Sequence, residues 1–236
     1  MIQLVTFDLD NTLWETESVV AAAEQVLLRW LDKHAPQFAK QLSPEARKAL
    51  RDEVLAAQPE LRHRVTPLRI AVLGLGLRKA GYSEEEASEL AAQGFKVFLD
   101  ARHQLEYFPH AELVLELLSR QYQLASISNG NADVRRLGLD RFFKIIVSAD
   151  DVGLSKPDAA PFRAALQAAG VEPAQALHIG DHPGDDIQGA LDVGMHTLWF
   201  NPQGKAWPQQ PRAHGEVRCL SEIPPWLNRY VKYARR

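Results

Sequence analysis

Cysteine is almost missing from this sequence. Cys219 is the only one among 236 residues, so an intrachain disulfide and a cysteine-built zinc site are both excluded. Long apolar runs are missing too: none reaches 18 residues, and no membrane span is expected. The N-terminus enters a strand pattern with no basic n-region or cleavage site, so no secretory signal is expected and the chain reads as soluble and cytoplasmic. Charge of one sign is also scarce. Against 27 basic residues stand 30 acidic ones, a net charge of −3, which offers no basic face to a nucleic-acid backbone. There is no GxxxxGKS or GxxxxGKT phosphate loop, no HExxH pair among the histidines, no internal repeat and no low-complexity tract.

What the chain does have is apolar residues, 46% of the total, enough for a substantial core. Short runs rich in Val, Ile and Leu occur at Ile2–Phe7, Gln123–Ser128, Lys144–Ser148, Ala176–Gly180 and Thr197–Phe200. Several lack polar alternation, which suits strands of a parallel sheet buried on both faces. Helical segments separate them. One is predicted from an N-cap at Asp158 to a C-terminal Gly170, another from about Pro183 to Gly194. Alternation of this kind predicts a doubly wound, Rossmann-like α/β core.

Between strand one and strand two lie about 90 residues with helix signals and no convincing strand. Ser43-Pro44-Glu45 reads as an N-cap with a first-turn proline, and Thr66-Pro67 repeats it, starting a helix expected to stop near Gly81. Ser83 with Glu86 is a capping box. An all-helical domain inserted into the α/β core is the economical explanation. The expected boundaries are 1–15 and 107–236 for the core and 16–106 for the insertion. Joints are expected at Trp14–Thr16 and Glu106–Pro109, and a surface loop at Asn201–Pro211.

The first strand ends in FDLDNTLW, residues 7–14. Asp8 and Asp10 are two residues apart, so an extended chain points both acids the same way. The second strand delivers Ser128, Asn129 and Gly130; the strand ending at Gly180 delivers Asp181, Asp185 and Asp186 in GDHPGDD; Lys156 follows the strand through Val147. Ligands of open α/β sheets bind beyond the carboxyl ends of the strands, so these groups converge on one site. Asp8, Asp10 and Asp181 form an oxygen-rich anionic cluster that a hard divalent cation, Mg²⁺, would neutralise.

These motifs resemble, in order, those of the haloacid dehalogenase-like hydrolase superfamily. FDLDNT resembles its nucleophile motif, ISNGN its phosphate-binding motif, Lys156 in LSKP its lysine motif and GDHPGDD its last acidic motif. The 118-residue gap between Asp10 and Ser128 resembles members with a helical cap inserted after the first motif. The resemblance implies a capped fold and Mg²⁺-dependent hydrolysis of a small phosphate ester. Asp8 would be the nucleophile and Asp10 the general acid and base. Thr12 would orient the loop. Ser128 and the backbone amide of Asn129 would hold phosphate oxygens, and Lys156 would stabilise both phosphoryl charge and Asp8. The metal ligands would be Asp8, the Asp10 carbonyl and Asp181, with Asp186 in support. ISNGN, LSKP and the long insert resemble most the phosphatases of flavin mononucleotide and related esters.

Plainer readings compete at each position. As a calcium loop FDLDNTLW fails, since Leu13 and Val19 stand where glycine and glutamate belong. Gly74 and Gly76 begin a dinucleotide fingerprint that Lys79 ends, so LGLGL is read as close helix packing. His178 reads as a satisfied core histidine, His182 has no assigned role, and Asp185 complements a helix dipole. Trp14 reads as a joint, a pocket wall or core. His63, Arg64 and Arg69 read as solvated surface or as contacts to a second anionic group. Arg69 is expected in the first turn of its helix, where a cation opposes the dipole. Rival functions are a dehalogenase, a phosphomutase sharing the same acids, or a catalytically idle binding protein. Breaking a carbon–halogen bond leaves no oxygen to protonate, so Asp10 argues for phosphate chemistry.

Overall fold

A computed structural model of the chain describes residues 1–208 and 211–233. It divides into two compact units, 1–15 with 106–236 and 16–105. In the first, six parallel strands among the described residues form one sheet in the order Ile145–Ser148, Gln123–Ser128, Leu4–Phe7, Ala176–Gly180, His196–Phe200, Gly215–Val217. β1 (Leu4–Phe7) is buried at every residue, so its LVTF run needs no polar face. The chain next makes the helical unit, described below, and returns through the segment around Tyr107.

The helices of that unit are α1 (Thr16–His34), α2 (Pro36–Ala39), α3 (Pro44–Ala57), α4 (Val65–Lys79) and α5 (Glu84–Arg102). Ser43 caps α3, accepting from the Ala46 N–H at 3.1 Å. The capping box of α5 is complete: Ser83 Oγ accepts from Glu86 N at 3.3 Å, and the Glu86 carboxylate accepts from Ser83 N at 2.9 Å. α4 corrects the expected start at Thr66. The helix begins at Val65, with the Leu68 N–H bonded to the Arg64 carbonyl at 3.0 Å. Pro67 is tolerated as the third residue because first-turn amides have no helical acceptor. The same shift moves Arg69 out of the first turn. Gly76 shows why LGLGL is packing: a Cβ there would lie 2.3 Å from the Phe38 ring. Leu27, Leu31, Leu77, Phe95 and Phe98 belong to this unit's own core.

The α/β unit resumes with α6 (Ala111–Ser119), β2 (Gln123–Ser128), β3 (Ile145–Ser148), α7 (Ala149–Val152) and α8 (Ala159–Ala169). β4 (Ala176–Gly180), α9 (Gly189–Asp192), β5 (His196–Phe200), β6 (Gly215–Val217) and α10 (Ile223–Tyr233) complete it. α8 runs from an Asp158 cap to Gly170, whose φ of 67° is left-handed. Phe162, Ala165 and Leu166 of α8 pack on Leu4, Ile127 and Val147 of the sheet. α6 packs on α10 and on β2.

Two expectations change. The helix expected from Pro183 to Gly194 is a π-helix over Pro183–Gln188 followed by α9. Beyond the expected loop at Asn201–Pro211, of which residues 209 and 210 lie outside the described ones, β6 adds an edge strand that no apolar run announces. Where the chain leaves and re-enters this unit, Trp14 forms an antiparallel bridge with Tyr107, and the Phe108 N–H donates to the Leu13 carbonyl at 2.7 Å.

Candidate active site

β1 lies between β2 and β4, and the chain order reverses direction across it. Such a reversal opens a crevice at the carboxyl ends of the strands. A cavity of ≈ 300 Å³ lies there, lined among others by Asp8, Asp10, Ser128, Lys156, Asp181 and Asp186. The strand register explains the convergence: Phe7 pairs with Ser126 on one side and Ile179 on the other. Asp8, Ser128 and Asp181 therefore leave neighbouring strand tips.

At its centre is a buried lysine. Lys156 Nζ donates to Asp8 Oδ1 at 2.6 Å, to Asp186 Oδ1 at 2.6 Å and to the Ile127 carbonyl at 2.7 Å. All three of its protons are thus placed. Burial disfavours its charge, yet Asp186 and Asp8 outweigh that and hold the lysine protonated, above its ordinary value. Asn129 fixes the loop that carries it: its side-chain amide donates to the Lys156 carbonyl at 2.9 Å and its side-chain oxygen accepts from the Lys156 N–H at 2.8 Å. With its side chain fixed in this way, Asn129 meets a ligand chiefly through its main-chain N–H.

One cation faces three acids. One carboxylate oxygen from each of Asp8, Asp181 and Asp186 lies within 4.8 Å of the others. Burial pushes the Asp8 carboxyl well above the usual range; Lys156 opposes this, and Asp186 and Asp181 add to it. Burial and then Asp186 push Asp181 up to about 7. Asp186 goes the other way. Burial alone would raise it, but Lys156 and His178 pull it below the usual carboxylate range. The acids thus stand short of positive charge, and a hard divalent cation fits that all-oxygen donor set. Asp186 already accepts from Lys156, from His178 Nε2 at 3.2 Å and from the His182 N–H at 2.9 Å. That leaves Asp8 and Asp181 as the carboxylates open to a metal.

Asp10 has different company. Its Oδ1 accepts from the Trp14 indole N–H at 2.9 Å, so Trp14 is a core residue that braces the site from behind. Gly130 is the other boundary: a Cβ there would fall 2.1 Å from Asp10 Oδ2, so any larger residue must displace the Asp10 carboxylate. Asn11, between the acids and Thr12, takes a φ of 62°, a left-handed turn that asparagine tolerates. Thr12 is buried and donates to Asp8 Oδ2 at 3.3 Å. Ser128 Oγ accepts from the Gly130 N–H at 2.9 Å, leaving its own proton to donate.

Sequence reasoning missed two connections. His178 is satisfied in the core, as expected, but it joins that core to the site. Its Nδ1 lies 2.7 Å from Thr6 Oγ1 and its Nε2 bonds Asp186. Burial lowers its pKa, against the pull of Asp186, and so favours the neutral ring. In the tautomer that donates to Asp186 from Nε2, Nδ1 is the acceptor and takes the Thr6 hydroxyl proton, which otherwise reaches only the Leu177 carbonyl at 3.4 Å. The alternation Thr6, Asp8 on β1 opposite His178 on β4 was the available signal. His182, left without a role, caps the π-helix by accepting from Asp185 N at 2.9 Å, and Asp185 lies near it in the first turn.

Three acids and a buried lysine at the carboxyl edge of a doubly wound parallel sheet define a hydrolase built on strand-tip carboxylates. The chain belongs to the haloacid dehalogenase-like hydrolase family, whose profile matches residues 2–194. It is 29% identical over 226 residues, 94% of each chain, to the 5-amino-6-(5-phospho-D-ribitylamino)uracil phosphatase YigB of Escherichia coli. It is 34% identical over 158 residues, 64% of this chain and 61% of the other, to the phosphoserine phosphatase of Thermus thermophilus. Its structure resembles that of a 2-haloacid dehalogenase from Pseudomonas syringae at a TM-score of 0.95 and 45% identity, covering 98% and 100% of the two chains.

Proposed function

We propose that the protein is a Mg²⁺-dependent phosphatase of a small phosphate monoester that works through an aspartyl-phosphate. The observation that carries this reading is the pair of carboxylates on one loop in unlike surroundings. Asp8 is gripped by Lys156 and Thr12, while Asp10 is held by the Trp14 indole at the same cleft. Such a pair divides nucleophile from acid. An Asp8 oxygen attacks phosphorus, the ester P–O bond breaks, and Asp10 gives the leaving oxygen its proton. In the second step Asp10 takes a proton from water, which attacks phosphorus and frees Asp8. Lys156 keeps Asp8 oriented and offsets phosphoryl charge, and Ser128 with the Asn129 amide holds the oxygens that are not transferred. Asp8, Asp181 and the Asp10 carbonyl would hold Mg²⁺, which supplies charge neutralisation when bound. Asp186 supports Lys156.

The helical unit is read as the cap that selects the leaving group, joined at Trp14–Thr16 and Glu106–Pro109. Flavin mononucleotide or a related ribityl phosphate heads the list of substrates, on motif resemblance and on likeness to the Escherichia coli phosphatase of a ribitylamino-uracil phosphate. The test is phosphate release from a panel of monoesters, with Mg²⁺ or chelator, by the protein and by Asp8→Asn. Release that requires both Mg²⁺ and Asp8 is expected. Release unchanged in Asp8→Asn would sink the mechanism.

A dehalogenase is the second reading, favoured by the 45% identity to the Pseudomonas syringae protein. Halide departs without a proton, so Asp10 would then be dispensable. Chloride release from 2-chloropropionate, unaffected by Asp10→Asn and by chelator, would establish it in place of the phosphatase.

A further inference from the structure

The helical unit contains a cavity of its own, and its origin is a gap in the packing. α1 packs on α5, α5 on α4 and α4 on α3, but α3 makes no comparable contact with α1. The apolar core of the unit has two clusters. Leu27, Leu73 and Phe98 lie in one cluster, while Val54, Leu61 and Leu68 form another. Between them is an open space of ≈ 450 Å³, within the range of about 300–1,000 Å³ of small-molecule sites.

The walls are apolar and the mouth is cationic. Leu27, Leu68, Val72 and Phe98 contribute to the walls. At the mouth stand Arg47, Lys48, Arg51, Arg62 and Arg69, against one acid, Glu24. Glu24 is already engaged by both Arg47 and Arg69, and the Arg69 guanidinium lies over the Phe98 ring at 4.0 Å. Lys48, Arg51 and Arg62 have no acidic partner among the described residues and are exposed. Three uncompensated cations at the rim of an apolar hollow select against cations and against neutral polar solutes. They favour a ligand with an apolar body and one anionic end.

We propose that this cavity is a binding site for an amphipathic organic anion, its hydrocarbon or aromatic body between Leu27, Leu68 and Phe98 and its carboxylate or phosphate at Arg51 and Arg62. The site lies wholly within residues 24–98 and does not rest on the phosphatase reading. The occupant fills the space that α3 and α1 leave open, so binding stiffens the unit as well as saturating it.

The test uses the full chain with labelled Leu and Val methyls, titrated with octanoate, octyl phosphate and octylammonium. Saturable shifts at Leu27, Leu68 and Val72 are expected for both anions, with octanoate binding below about 1 mM. Octylammonium should bind at least tenfold more weakly. The ranking of the two anions identifies the preferred head group. Arg51→Glu with Arg62→Glu should weaken octanoate at least tenfold while leaving the helical circular dichroism intact. Leu68→Trp, which fills the hollow, should abolish the shifts; should it fail to fold, Val72→Phe makes the same test. Equal binding of octanoate and octylammonium, shifts confined to methyls of the α/β unit, or no saturation with octanoate would each overturn the proposal.

Discussion

Lys156 is the residue on which the site's electrostatics turn. Removing one partner of a buried ion pair leaves the other charges uncompensated, at a cost of about 3–5 kcal/mol. Lys156→Met should therefore lower the urea-unfolding free energy of the metal-free protein by about 3 kcal/mol at pH 8. The loss should be smaller at pH 5 than at pH 8, because burial raises the Asp8 carboxyl and favours its neutral form as the pH falls. A loss equal at both pH values would mean that Asp8 is not part of the balance. Gly130→Ala tests Asp10 without touching it. The new methyl would overlap Asp10 Oδ2, and phosphate release should fall by about 10²-fold or more, the value of a well-placed general acid, with the melting temperature little changed. Thr6→Val removes the hydroxyl that holds His178 Nδ1. Imidazole ¹⁵N shifts should report the Nε2–H form in the parent protein and a mixture of tautomers in the variant.

The elements differ in how far the sequence announces them. β1, β2, β4 and β5 are legible because a parallel strand buried on both faces is largely apolar, as LVTF and ALHIG are, and β3 by its apolar IIV run at the sheet edge. β6 is not, since GEV at a sheet edge offers three residues and one buried side chain. Caps at Ser43, Ser83 and Asp158 are legible because a side-chain oxygen before a helix answers a local need. The α4 start is not, because Arg64 closes the first turn with its backbone and no side-chain cap. The π-helix is also hidden. Its extra residue per turn answers to the meeting of Asp186 with Lys156 and His178, a long-range demand. The same limit applies to the site: acids at strand tips are readable by spacing, whereas the Trp14 and Thr6 contacts require the fold. At this scale Ser83→Ala should cost about 1 kcal/mol by loss of the α5 cap, measured by chemical denaturation; an unchanged midpoint would show that α5 is held by packing alone.

Across the whole molecule, acids from two strand tips and a lysine from a third connection form one charge cluster, and its titration belongs to all of them. Asp181, pushed up to about 7, favours its protonated form when folded. The stability that this proton contributes is fully present below the ordinary carboxylate value and is lost as pH rises through about 7. The metal-free protein should therefore become less stable from pH 5 to pH 8. Mg²⁺ competes with that proton, so its thermal shift should be larger at pH 8 than at pH 6. A shift independent of pH would exclude Asp181 as a ligand. The bond from the Trp14 indole to Asp10 has an optical consequence. An indole's emission wavelength responds to the electric field along its ring, and here the charged group closest to its N–H is the proposed acid. With Trp30, Trp199, Trp207 and Trp226 replaced by phenylalanine, the chain would carry one native fluorophore wired to its reaction centre. Colour alone would then follow a phosphate or a metal ion arriving at the cleft, with no label and no turnover.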